Sequence, residues 1–219
     1  MSLNAKDAKG GSALAIEPMD AGTYPARILQ IFSLGLQPGG TWQGDPKPDK
    51  DQIGVTYEFL DEFLKGENGE EDTDKPRFIT ERFAFNNITN EKAKSTKRYK
   101  VFDPDNIHDG DWTQLTGVPC LVTITQSPGK NGRVWNNVAE VQPMRAKDAN
   151  TAPPLVNEPV IFDIEEPDLE SFKKLSPWIQ DIIKSNLEFR GSELERLLGS
   201  VKEASPEKKD NQKTDDRPY

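Results

Sequence analysis

Basic and aromatic side chains are interleaved in several stretches of this chain. Proteins that bind single-stranded nucleic acid combine positive charges that follow the phosphates with aromatic rings on which the bases stack, and each stacked base contributes roughly 1–3 kcal/mol. The residues that we predict to contact phosphates are Arg27, Arg82, Lys92, Lys94, Lys97, Arg98 and Arg133, with Lys130 close to Arg133 as a further candidate. The residues that we predict to stack on bases are Trp42, Phe78, Tyr99 and Trp135. These residue types favour a nucleic-acid interface.

Many basic and aromatic residues of the chain also have a simpler structural interpretation. A lysine-rich helix such as residues 92–100 is often only a solvated face. Tyr57, Phe83 and Phe85 share strand faces with aliphatic residues and are expected in the core. Trp42 differs from them because glycines and polar residues flank it on both sides, which predicts an exposed loop position.

Enzyme signatures are missing from the sequence. It contains no dinucleotide-binding glycine pattern, phosphate-binding loop, serine-hydrolase elbow or zinc-protease motif. His108 lies in a polar segment and is interpreted as a surface residue, and Cys120 is interpreted as a small buried hydrophobe. The carboxylates of Glu70, Glu71 and Asp72 could hold a metal, but a flexible acidic loop is the commoner meaning of such a run. We therefore predict no catalysis, no cofactor and no metal site.

The negative charge is concentrated in a few segments. The chain carries a formal charge of −9, of which residues 58–74 supply −7. The rest of residues 22–145 carries +4. The acidic total therefore does not exclude a nucleic-acid partner. A DNA mimic, which needs carboxylates on a rigid face, is disfavoured because the carboxylates are expected in a solvated hairpin loop at residues 65–74 and in the tail.

Hydrophobic periodicity predicts five strands and one short helix. Residues 52–59 and 77–85 alternate cleanly between apolar and polar positions, and residues 90–100 are helical in type, with Asn90 as the cap. The remaining strands are expected at residues 24–36, 119–126 and 133–142, the last two joined by a turn. Three strands, a helix and a closing hairpin is the layout of a five-stranded OB-fold barrel, although other five-stranded barrels give a similar order.

Composition divides the chain into five parts. We predict a flexible arm at residues 1–21, an OB-fold domain at 22–145, a proline-rich linker at 146–159, a helical extension at 160–203 and a disordered acidic tail at 204–219. Ser176-Pro177 and the Ser192/Glu195 capping box predict two short amphipathic helices in the extension. No apolar run reaches the ~18 residues of a membrane span, and the single cysteine is typical of a reducing cytosol.

The last residues of the chain suit recognition by another protein. Asp215 and Asp216 precede Pro218 and the terminal Tyr219. A basic pocket on a partner could capture the aromatic ring and the α-carboxylate. The same ending could also compete with nucleic acid for this protein's own basic residues, and a tail without function is the alternative.

Several short motifs in residues 22–143 resemble those of a known family. They are Gly22-Thr-Tyr24-Pro-Ala-Arg-Ile, Leu34-Gly35-Leu-Gln, Trp42-Gln-Gly44, Leu115-Thr-Gly117-Val-Pro119-Cys120-Leu-Val-Thr-Ile and Gly132-Arg-Val-Trp135-Asn-Asn137-Val. Together they resemble bacteriophage single-stranded DNA-binding proteins with an OB-fold. The resemblance implies non-catalytic support of DNA replication or recombination in the host cell cytoplasm. The tail resembles the acidic, aromatic-terminated tails of such proteins, but with Arg217 before Pro218 and Tyr219 in place of a terminal Phe.

Two functional hypotheses follow. The first is a sequence-independent single-stranded DNA-binding protein whose tail recruits replication or recombination proteins. The alternative is a phage structural or replication-accessory module that binds proteins and not DNA, in which a partner covers Trp42 and the lysine-rich segment. Self-association is compatible with both.

Overall fold

A computed structural model describes residues 17–66, 68–129 and 132–203 of the chain. The fold is mainly β, with 40% strand and 23% helix, which confirms the predicted class. The strands are β1 Gly22–Gln37, β2 Thr41–Trp42, β3 Asp45–Pro46, β4 Lys50–Lys65, β5 Glu71–Ala84, β6 Pro119–Pro128, β7 Val134–Pro143 and β8 Val160–Phe162. The helices are α1 Lys94–Phe102, α2 Ala146–Thr151, α3 Leu169–Lys174, α4 Pro177–Lys184 and α5 Glu193–Glu203, with a 3-10 turn at Trp112–Leu115.

Six strands form one antiparallel sheet. Its order is β5-β4-β1-β6-β7, and β8 pairs with β1 off this path. In the β1–β6 ladder Gly22 lies opposite Ile124 and Arg27 lies opposite Pro119. The sheet is not closed within the described residues, so the predicted five-stranded OB-fold barrel is not confirmed. The two end strands, β5 and β7, nevertheless approach each other to within 8 Å between Cα atoms.

Strand alternation places the main core on one face of β4 and β5. Ile53, Val55, Tyr57 and Phe59 of β4 are all buried, as their period of two predicts. The core cluster joins them to apolar residues of the other elements, including Ala26, Ile28, Phe83, Tyr99, Trp112, Leu115, Val122, Ile124 and Val141. This cluster holds α1 against the sheet.

Much of the acidic stretch at residues 58–74 is strand, and the loop predicted at residues 65–74 is shorter than expected. β4 continues to Lys65 and β5 begins at Glu71, so only the residues between them form the turn. Asp61, Glu71 and Asp74 lie on strands with exposed side chains. Charged residues can extend an antiparallel strand beyond the core because their side chains project from the strand into solvent.

Helix α1 starts later than predicted. Its N-cap is Ala93, which has no capping side chain, and the predicted cap Asn90 instead closes a turn by accepting a 3.0 Å hydrogen bond from the Ala93 N–H. The helix ends at Phe102, and the N–H of Asp103 donates to the Tyr99 carbonyl. Residues 90–93 form a turn before the helix, and this turn sets where the helix begins.

The described part of the chain forms two compact units, and the predicted linear domains stay a prediction. Of the described residues, the first unit contains 17–31 and those within Ile53–Ile161, and the second contains Phe32–Gln52 and 162–203. The predicted linker therefore lies in the first unit and contains α2.

The second unit contains the two predicted amphipathic helices. Ser176 and Pro177 begin α4, which buries Ile179 and Ile183. Before α5 the Ser192 hydroxyl accepts a hydrogen bond of 3.2 Å from the Glu195 N–H, as a capping box requires. None of the helices in the described ranges is long and apolar enough to cross a membrane.

Candidate nucleic-acid interface

The outward face of β5 carries an exposed aromatic ring and an exposed guanidinium. Ile79, Glu81 and Phe83 point to the core side, so Phe78 and Arg82 lie on the opposite face. Phe78 is 59% exposed, although it lies in the interior of a strand. Arg82 is exposed and makes no ion pair with any described residue. The two side chains combine an apolar plane with a free positive charge on one strand face.

The part of this face formed by β4 is covered by residues 152–157, which we call the strap. Glu58 of β4 is 1% exposed, and its carboxylate accepts hydrogen bonds from the backbone N–H of Val156 at 2.7 Å and of Asn157 at 3.2 Å. Beside it, Thr56 and Thr80 are joined by a 2.8 Å hydroxyl contact. The face that remains open is therefore mainly that of β5.

Arg27 holds the other end of the strap, a structural role beside which its predicted phosphate contact stays a prediction. Its guanidinium donates to the carbonyl of Pro153 at 2.7 Å, to that of Gly117 at 2.7 Å and to that of Ala152 at 3.0 Å. Three of the five N–H donors of the guanidinium are thus used within the protein. Arg27 and Glu58 thus hold one segment from its two ends, through its carbonyls and its amides respectively.

A second exposed aromatic residue lies at the start of β7. Trp135 is 55% exposed and lies opposite Ser127 across the β6–β7 hairpin. Its indole lies directly over Gly129, where an added Cβ would lie only 2.1 Å from Nε1 and 2.5 Å from Cδ1. Arg133, two residues before Trp135, is exposed and makes no ion pair within the described chain. Lys130 lies outside the described residues.

Because Gly129 leaves room for the indole, the variant Gly129→Ala is expected to displace Trp135. The indole is half exposed and can move, so we expect the free energy of unfolding to fall by less than about 1 kcal/mol. In a ¹H–¹⁵N spectrum the indole N–H signal of Trp135, assigned with Trp135→Ala, should shift clearly. An unchanged indole signal would contradict the close packing of the ring on Gly129.

Helix α1 uses two of its predicted phosphate contacts for an internal ion pair. Arg98 is 8% exposed, and its Nε and Nη2 donate to the Glu81 carboxylate at 2.8 and 3.3 Å. Lys94 contacts the same carboxylate at 2.7 Å, and the Tyr57 hydroxyl donates to it at 2.8 Å. The prediction for Arg98 is wrong because its charge is buried and compensated, and Lys94 is paired although its side chain is 47% exposed.

The ionisation of this cluster follows from its contacts. Burial by itself raises the pKa of Glu81, but hydrogen bonds from Arg98 and Lys94 and their charges outweigh burial, so the pKa lies below its ordinary value. Burial, and then the Glu81 carboxylate, hold the pKa of Tyr57 well above its ordinary value. The cluster is therefore a carboxylate, two cations and a neutral phenol, which stabilises the attachment of α1 to β4 and β5.

Tyr99 is in the core, which corrects its prediction as a stacking platform. Its ring is 1% exposed and packs edge-on against Trp112 at a centroid distance of 5.6 Å. The hydroxyl donates to the Asp103 carboxylate at 2.9 Å and accepts from the Gly110 N–H at 3.0 Å. Burial and the hydrogen bond to Asp103 raise the pKa of Tyr99 to about 12. The ring is therefore not an exposed platform for stacking.

The remaining predicted cations around α1 are available to a ligand. Lys92 and Lys97 are exposed and have no ion pair among the described residues. With Arg82 and Arg133, they make four free cations of the first unit that were predicted to contact phosphates.

Trp42 and the tail cannot be placed in this surface. Trp42 is the last residue of β2 in the second unit, and the structure describes its backbone but not its side chain. Asp215, Asp216, Pro218 and Tyr219 also lie outside the described residues. Their predicted roles stay predictions.

Phe85 is the exposed aromatic residue that the strand pattern misassigned. It was expected in the core with Phe83 but is 47% exposed. β5 ends at Ala84, so the alternation that places Phe83 inward no longer applies one residue beyond the strand. The polar pair Asn86-Asn87 that follows is the sequence feature that indicates the end of the strand.

The structural predictions for the single histidine and the single cysteine are confirmed, because His108 is exposed and Cys120 is fully buried.

No protein-family model matches the chain, and no curated protein matches it.

Proposed function

We propose that this protein is a non-catalytic, sequence-independent single-stranded DNA-binding protein of a bacteriophage, acting in DNA replication or recombination. The observation that carries the proposal is the pair Phe78 and Arg82, exposed together on the outward face of β5. A phenyl ring stacks on any base, and an unpaired guanidinium binds any phosphate, so such a pair recognises a strand without reading its sequence.

The order of the strands supports an OB-type fold. The order β5-β4-β1-β6-β7, with α1 between β5 and β6, is that of a five-stranded OB barrel opened between its third and fifth strands. Those two strands, β5 and β7, are the ones that approach each other. In OB-folds, single strands bind along the second and third strands and the adjoining loops, which corresponds here to β4 and β5.

The second aromatic position extends the surface to the other end strand. Trp135 and Arg133 repeat the combination of an exposed ring and a free cation on the β6–β7 hairpin. This hairpin is the counterpart of a loop that contributes to strand binding in OB-folds. The acidic tail is proposed to recruit replication or recombination proteins in the host cell cytoplasm.

A second candidate function is a protein-interaction module. Trp178 and Leu187 of the second unit are 49% and 51% exposed. Exposed tryptophan is typical of protein interfaces. In that case the first unit would bind no DNA, and the accessory or structural role would belong to a protein complex of the phage.

A salt titration separates these functions. Each phosphate contact on a single strand contributes about −0.7 to the slope of log K against log salt. Four free cations predict a slope of about −3, whereas all seven cations first predicted as phosphate contacts would give about −5. Tryptophan fluorescence with an oligothymidine at several salt concentrations measures this slope. A dissociation constant weaker than about 10 μM at low salt would contradict DNA binding, since this protein would then bind even more weakly at physiological salt.

A further inference from the structure

A cavity opens where β5 ends, away from Phe78. Its volume is about 380 Å³, within the range of roughly 300–1,000 Å³ found for small-ligand sites. The segment after β5, the first turns of α1 and the loop before the 3-10 turn line it, through residues that include Phe85, Asn86, Asn87, Thr96, Asp109 and Trp112. We call it the β5-end pocket.

Three aromatic residues line this pocket. Phe85 is 47% exposed, so its ring is accessible to a planar ligand. Trp112 and Tyr99 are buried and packed edge-on at 5.6 Å between centroids, so their part of the lining is rigid. A flat apolar ring would therefore contact fixed aromatic surface on entering.

Two amide side chains give the pocket hydrogen-bonding groups of both kinds. Asn86 uses its Nδ2 to donate to the Ala84 carbonyl at 3.0 Å, and Asn87 uses its Oδ1 to accept from the Thr89 N–H at 3.0 Å and the Thr89 hydroxyl at 2.8 Å. These bonds fix which end of each amide is engaged. The other ends, an acceptor on Asn86 and a donor on Asn87, bond to no described residue.

The charges around the pocket distinguish its interior from its rim. Asp109 is the charged residue in the lining, and a carboxylate repels a phosphate. Lys92 precedes the lining residues of α1 in sequence, and Lys97 lies between the lining residues Thr96 and Tyr99. Neither lysine is part of the lining, and neither has an ion pair in the described chain. A neutral group therefore fits the interior, and a phosphate fits the lysines outside.

We propose that the β5-end pocket holds a single unstacked nucleobase of the bound DNA strand, an inference that rests on the proposed function. A nucleobase is flat, neutral and bordered by adjacent donors and acceptors, and proteins hold splayed bases by stacking and by hydrogen bonds to these edges. Phe78 lies on β5 and Phe85 is the first residue after it. Their separation of seven residues corresponds to roughly 23 Å of extended chain. Such a path fits a site of several nucleotides, within the roughly 4–16 nucleotides of an OB-fold.

The test uses the full chain and a 12-nucleotide oligothymidine with one 2-aminopurine at successive positions. One position should show a fluorescence change on binding that differs from its neighbours, because its base enters the pocket. In Phe85→Ala this change should disappear and affinity should fall about 5- to 150-fold, the equivalent of one lost stack. Phe85→Leu keeps the apolar volume without the aromatic plane and should lose most of the same affinity. This second variant remains informative if Phe85→Ala folds poorly.

The control variant is Ile107→Ala, which removes a side chain that is 77% exposed and does not line the pocket. It should bind like the wild type. If the wild type binds DNA while Phe85→Ala and Phe85→Leu keep its affinity and its fluorescence pattern, the pocket proposal is overturned and the proposed function stands. If the wild type binds no oligonucleotide, both are overturned.

Discussion

Replacing Glu81 with glutamine is expected to lower the free energy of unfolding by about 3 kcal/mol. Removing one partner of a buried ion pair costs roughly 3–5 kcal/mol because the other charge stays buried without compensation. Here that charge is Arg98, at 8% exposure, and the glutamine can still accept one hydrogen bond. Against the roughly 5–15 kcal/mol of stability typical of a protein domain, such a loss is large. Urea unfolding followed by circular dichroism measures it.

The chain offers a matched control for this substitution. Glu91 pairs with Lys100 at 3.1 Å, and both side chains are at least half exposed. Glu91→Gln makes the same chemical change at the surface, where an ion pair contributes about 0–1 kcal/mol. If Glu81→Gln costs no more than Glu91→Gln, the buried cluster does not stabilise α1 as described. The pair Glu81→Leu with Arg98→Met should cost less than the sum of the two single variants.

The same cluster gives a pH dependence with a defined sign. Folding lowers the pKa of Glu81 below its ordinary value of 4.5, so its contribution to stability is complete above that value. This contribution is lost as the pH falls through the lower pKa of the folded state. The difference in unfolding free energy between wild type and Glu81→Gln should therefore shrink as the solution is acidified below pH 4.5. A difference that stays constant would contradict the ionised pairing.

The strand pattern predicted the parts of the fold that depend on local periodicity. Residues 53–59 alternate because one side packs in the core, and the structure buries that side. The strand ends were missed because Asp61 and Glu71 extend strands with solvated side chains, which a composition argument assigns to a loop. The strap was missed for a different reason. Its partners Arg27 and Glu58 are about 100 or more residues away in sequence, and such pairings leave no local pattern.

The candidate site was predictable where it lies on a strand and unpredictable where it lies on α1. Phe78 and Arg82 were placed outward by the same alternation that places Phe83 inward, and both are exposed. Arg98 was predicted to contact phosphate because it lies in a lysine-rich segment. The signal that indicates otherwise is Glu81, a carboxylate at a core-facing position between Ile79 and Phe83. A buried carboxylate requires a cation, and a basic helix follows it.

The largest loss of DNA affinity is expected when both exposed platforms are removed, in Phe78→Ala with Trp135→Ala. Each stacked base contributes roughly 1–3 kcal/mol, so the two together should cost about 2–6 kcal/mol, a weakening of about 30-fold at the least. The rings lie on different strands, and their effects should add. Both are more than half exposed, so the variant should remain folded. Fluorescence anisotropy of a labelled oligothymidine measures the affinity without relying on the removed tryptophan.

Trp178→Ala is the matched control for this variant, because it removes a tryptophan of similar exposure, 49% against 55% for Trp135, from the second unit. Its DNA affinity should stay at the wild-type value. A double variant that is folded and binds within about threefold of the wild type would remove Phe78 and Trp135 from the interface. An equal loss in Trp178→Ala would instead show that affinity responds to any exposed aromatic residue. The single variants Phe78→Ala and Trp135→Ala show whether both rings contact the DNA. If only one of them weakens binding, the DNA lies along the β-strand of that residue alone, since additive losses require contact with both rings.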